Sequence, residues 1–130
     1  MVMKKKLLLL LVPFLLAFQC DEEEISGFET NYLLQNATTT DLFYLSENDN
    51  FIAVENQSRF SIGSSLNPVS SPITPADSEL FSAIKLYVLT GTDYVLVYSQ
   101  DPIDDAAWVL TEPETNRFEY RLTITDSDLE

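Results

Sequence analysis

The stretch "IKLYVLTGTDYVLVYS", residues 84–99, constrains the fold more than any other part of the chain. Two runs rich in β-branched and aromatic residues flank a Gly-Thr pair. Gly91 suits the first central position of a type II′ turn, with Thr92 second. That turn sets Thr90 opposite Asp93, Val88 opposite Val95 and Leu86 opposite Val97. Ile84, Leu86, Val88, Val95 and Val97 then share one aliphatic face. Lys85, Tyr87, Leu89, Tyr94, Leu96 and Tyr98 share the other. A slip of one residue would move every side chain to the wrong face, so the pattern predicts a hairpin in this register.

The rest of the chain after residue 29 has the same character. Short β-rich runs occur over 30–36, 41–46, 51–55, 58–64, 82–89, 93–99 and 117–125, separated by "ATTT", "ENDN", "NQ" and "TGT". In the last run Phe118, Tyr120, Leu122 and Ile124 alternate with Glu119, Arg121, Thr123 and Thr125, one face apolar and the other wet. Seven such strands predict an all-β fold: an antiparallel β-sandwich of the immunoglobulin-like or transthyretin-like kind over residues 30–130. "DPIDDAAW" predicts a short helix capped by Asp101, with Pro102 at its first position and Trp108 packed on the sandwich. The Ser/Pro-rich residues 63–79 read as a crossover between sheets.

The first 24 residues have another logic. "MVMKKK" is a positive start and "LLLLLVPFLLAF", residues 7–18, an apolar run. Twelve residues rise about 18 Å as a helix, short of the ~30 Å hydrocarbon core. The run therefore predicts a signal peptide rather than a span. It ends at Cys20, the chain's one cysteine, followed at once by Asp21, Glu22, Glu23 and Glu24. A cysteine directly after the apolar run resembles the bacterial lipoprotein arrangement. Leu16 and Ala17 match the upstream lipobox, while Gln19 stands where Gly, Ala or Ser is common. The acidic run resembles the export signal of surface lipoproteins of the Bacteroidota.

The resemblance implies residues 1–19 as a lipoprotein signal peptide and 20–29 as an acidic tether. It also implies diacylglycerol and N-acyl lipid on Cys20, and a domain held at the outer membrane facing the cell exterior. Two or three acyl chains, at about 0.8 kcal/mol per buried methylene, hold a protein without any span.

The remaining chemistry is bounded by what the composition lacks. The chain has no histidine, which excludes Ser-His-Asp and Cys-His sites and the common catalytic zinc centres. Three glycines and no Walker-type loop leave no phosphate cradle. From residue 21 onward, four basic residues face 21 acidic ones, a formal −17. Such a surface repels phosphate backbones, so nucleic acid is not expected as a partner. No enzymatic activity, resident metal or other cofactor is expected.

Calcium is the one metal to weigh, at "ENDN" (47–50) or at Asp101, Asp104 and Asp105, but neither has EF-hand spacing. Asn36-Ala37-Thr38 and Asn56-Gln57-Ser58 match the glycosylation sequon.

One binding surface stands out. Lys85, Tyr87, Tyr94, Leu96 and Tyr98 on the second hairpin face would stack on sugar rings or dock a partner if exposed. Such a stripe is more often the inner side of a face covered by another sheet or, here, by Trp108. The sequence thus predicts a lipid-anchored envelope protein displaying a small acidic β-sandwich with a binding or structural role. The alternative is a carbohydrate- or peptide-binding accessory domain that uses the tyrosine face.

Overall fold

The computed structural model describes residues 27–67 and 70–130. The signal segment, Cys20 and the acidic residues 21–24 lie outside these residues. Eight strands follow in order: β1 (Phe28–Asn36), β2 (Leu42–Leu45), β3 (Phe51–Val54), β4 (Arg59–Asn67), β5 (Ile84–Thr90), β6 (Asp93–Gln100), β7 (Trp108–Glu114) and β8 (Arg117–Ile124). They form a sandwich of two four-stranded sheets. The first has the order β4-β1-β8-β7 and the second β3-β2-β5-β6. Neighbours pair antiparallel except β1 and β8, which run parallel with Glu29 beside Arg117 and Asn36 beside Ile124.

Alternation decides which way each strand faces. Tyr32 and Leu34 of β1, and Tyr120, Leu122 and Ile124 of β8, point inward from the first sheet. Leu42 and Tyr44 of β2, and Ile84 and Leu86 of β5, meet them from the second. The "RFEYRLTIT" strand has the inner and outer faces that its pattern predicts: Tyr120, Leu122 and Ile124 are buried and Phe118 half-buried, while on the other face Glu119 and Arg121 are half-buried and Thr123 is exposed.

Strand β7 is additional to the seven strands expected, and the helix expected before it does not form. Asp104, not Asp101, is the cap, its Oδ1 accepting from the Ala106 N–H at 3.1 Å. The turn it starts is a single 3-10 turn, Asp105–Ala107. Trp108 then enters a strand because its indole is fixed on two sides. Its Nε1 donates to Gln100 Oε1 at 2.9 Å, and its ring stacks on Phe81 at 5.7 Å. The packing of Trp108 on the sandwich is as expected; the helix is not. Pro113 near the strand's end is tolerated because β7 is an edge strand.

The 63–79 segment divides. Residues 63–67 extend β4, with Asn67 opposite Phe28. The chain beyond crosses from the first sheet to the second. Tyr32 Oη donates to the Ile73 carbonyl at 2.7 Å, and the Ile73 N–H donates to Thr30 Oγ1 at 3.2 Å. Phe81 at its far end is a core residue, set edge-on to Tyr32.

At the opposite crossing, between β1 and β2, Asn36 is fully buried yet satisfied. Its Nδ2 donates to the Thr40 and Val54 carbonyls, both at 2.9 Å, and its Oδ1 accepts from the Thr38 N–H at 3.0 Å. The side-chain amide of Asn36, the first residue of a sequon, is thus wholly engaged inside the fold.

Candidate functional site: an aromatic sheet face

The hairpin β5–β6 turns at Gly91, whose φ of 66° suits a primed turn. Thr90 lies opposite Asp93, Val88 opposite Val95 and Tyr87 opposite Leu96, as the sequence predicts. Beyond that point the register shifts, and Leu86 faces Tyr98 rather than Val97. Val97 is the extra residue of a β-bulge. The bulge carries Tyr98 to the inner side, where it packs against the core and its hydroxyl accepts from Gln100 Nε2 at 2.9 Å. Burial pushes its pKa up. Tyr98 therefore does not share a face with Tyr87 and Tyr94, contrary to the two-residue period. A bulge leaves no mark in strict alternation, which is why the sequence misses it.

The other predicted face residues stay outside, and strands β2 and β3 enlarge the surface. Phe43 lies opposite Tyr87, and Phe51 opposite Leu45, each on the side away from the core. The four rings form one cluster across the sheet. Phe51 stacks parallel on Tyr94 with centroids 3.9 Å apart. Phe51 also meets Tyr87 edge-on at 5.1 Å, and Phe43 meets Tyr94 edge-on at 5.2 Å. The cluster is not covered: Phe51 is 38%, Tyr94 41%, Leu96 43% and Leu89 46% exposed. Trp108, the other candidate cover, lies in the core instead. Phe43 and Phe51 were legible in principle. "DLFYL" and "FIAV" alternate, so burying Leu42, Tyr44, Ile52 and Val54 sends both phenylalanines outward.

Lys85 sits at one end of this face, beside a shallow depression of about 140 Å³ lined also by Leu45, Glu47, Asp49 and Ser82. Glu47 is held there by the Ser82 N–H, which donates to Oε1 at 2.9 Å. "ENDN" itself is the β2–β3 turn: the Ser46 N–H donates to the Asn50 carbonyl, and Asp49 has a φ of 60°. Of the other acidic loop, Asp104 caps a turn and Asp105 Oδ1 accepts from the Ala76 N–H at 2.8 Å. Among the described residues no cluster of three or more acidic side chains is arranged to hold a metal, and no helix is long and apolar enough to cross a membrane.

The outer face of the first sheet is different in kind. Arg117 pairs with Glu29 on the neighbouring strand, and Arg121 lies near Glu119 and donates to Gln35 Oε1 at 3.3 Å. No protein-family model, no curated protein and no solved structure matches this chain.

Proposed function

We propose that this chain is a lipid-anchored, non-enzymatic protein of the bacterial outer membrane, and that it displays its acidic sandwich outside the cell for binding. The anchor is the diacylglyceryl and N-acyl lipid on Cys20, and residues 21–24 are the routing label. The observation that carries the binding role is the aromatic cluster in which Phe51 and Tyr94 are exposed and Phe43 and Tyr87 are half-buried. Rings left in water on an otherwise acidic surface forgo burial worth ~25 cal/mol per Å² of apolar area, which a partner restores.

Radiolabelled palmitate should enter the wild type and not Cys20→Ala. Protease added to intact cells should remove the sandwich from the wild type. Alanine at residues 21–24 should leave the protein membrane-bound but protected. A wild type already protected in intact cells would falsify the display.

A further inference from the structure

We propose that the outer face of the second sheet docks a basic protein segment, with arginine side chains laid over the Phe51–Tyr94 rings and their charge met by the surrounding carboxylates. This rests on the reading of that face as a binding surface and adds the chemistry of its partner.

The rings and their acidic rim together select the partner. An aromatic face carries negative potential, and a guanidinium, planar and weakly hydrated, stacks on it better than an ammonium does. The rim supplies the charge. Because Leu42 lies opposite Val54, Asp41 before β2 and Glu55 after β3 sit together at one end of the sheet. The β5–β6 turn, with Asp93 next to Tyr94, lies at that same end. Glu47 and Asp49 sit at the other end. All five carboxylates are on exposed residues.

The counter-charge is elsewhere. Of the four basic residues after residue 20, Arg59, Arg117 and Arg121 belong to the first sheet, and only Lys85 belongs to the second. The face thus joins exposed π-surface to negative charge that one lysine, Lys85, offsets only in part, a combination complementary to arginine. An anionic ligand meets repulsion at both ends. A neutral sugar would stack on the rings and gain nothing from the rim. Four strands at about 4.8 Å spacing make the sheet face beneath the cluster ~14 Å wide, the length of about four extended residues.

The test uses the full-length lipidated protein in neutral detergent, with fluorescence anisotropy of labelled peptides. The probes are RVRVRVR, KVKVKVK and EVEVEVE, with maltoheptaose as a neutral competitor. RVRVRVR should bind, KVKVKVK several-fold more weakly, and EVEVEVE not at all. The double variant Phe51→Ser/Tyr94→Ser should weaken RVRVRVR about ten-fold or more. Asp93→Asn/Glu47→Gln should weaken it several-fold. Glu112→Gln/Glu114→Gln, on β7 of the first sheet, should leave it unchanged.

Equal weakening by the β7 pair, or equal binding of the lysine and arginine peptides, means diffuse attraction and overturns the proposal. Maltoheptaose bound in a Phe51- and Tyr94-dependent way, without peptide binding, keeps the face as a binding surface but overturns the basic partner. Binding of neither ligand overturns both.

Discussion

The two outer faces of the sandwich are built by the same alternation and reach opposite ends. On the first sheet the outward positions of β1 and β8 hold Glu29, Gln35, Arg117 and Arg121, and each charged or amide head finds a neighbour on the same sheet. On the second sheet the outward positions hold Phe43, Phe51, Tyr87 and Tyr94, and these find only one another. The first face satisfies its charged heads itself, and its most exposed apolar residues, Leu66 and Val109, stand apart on opposite edge strands. The second gathers its aromatic rings into one partly exposed cluster, with Lys85 the single basic residue among its carboxylates.

The comparison is sharpest where the shared interior is held constant, so the largest predicted effect lies there. Trp108→Ala removes a buried ring, its stack on Phe81 and the partner of Gln100. It should cost about 3–5 kcal/mol in chemical denaturation, loosening both faces alike. If Trp108→Ala instead unfolds one sheet alone, the faces do not share one cooperative body.

Next comes Asn36→Ala, which strips the carbonyls of Thr40 and Val54 of their donor and should cost about 1–3 kcal/mol.

Alkaline pH acts on the interior too. Burial holds Tyr32, Tyr44, Tyr98 and Tyr120 above the ordinary phenol value. The unfolded chain releases these protons near pH 10, while the fold keeps them. The stability tied to the neutral phenols is therefore whole below about pH 10 and is lost as pH rises from there through the folded values. A melting series followed by phenolate absorbance should show unfolding and tyrosine ionisation together. Ionisation of all six tyrosines near pH 10 before unfolding contradicts the burial.

The faces themselves carry the smallest stability effects. Phe51→Ser/Tyr94→Ser should cost no more than about 1.5 kcal/mol while weakening RVRVRVR binding about ten-fold or more. Arg117→Ala breaks a half-exposed ion pair and should cost about 0–1 kcal/mol, with binding intact. A reversed result, with Arg117 controlling binding, would exchange the roles of the two faces.

Much of this architecture was legible from period-two patterning. The hairpin turn at Gly91, the inward set of "RFEYRLTIT" and the all-β class follow from residues in contact with water on one side only. Three features were not legible, each for a physical reason. The Val97 bulge breaks alternation by inserting one residue, and strict parity then assigns Tyr98 to the wrong side. Strand β7 lies at an edge with Val109 and Leu110 exposed, so it shows no buried stripe to read. The pairing of β1 with β8 joins segments far apart in sequence, and local pattern carries no trace of it. The other half of the candidate face, Phe43 and Phe51, was legible only as the off-parity residues of two alternating strands, and alternation alone does not say which side is covered.

That pairing of β1 with β8 also sets a clock. Glu29 and Arg117 are 88 positions apart, and the first strand made has its middle-of-sheet neighbour in the last. Synthesis delivers the N-terminal strand first, so β1 waits, with one edge open, until residue 124 is free. Contacts of such long range make closure slow. A chain that does not lock itself before its end appears stays threadable. Under the display outside the cell proposed above, that delay would keep the chain in the form a translocation channel accepts.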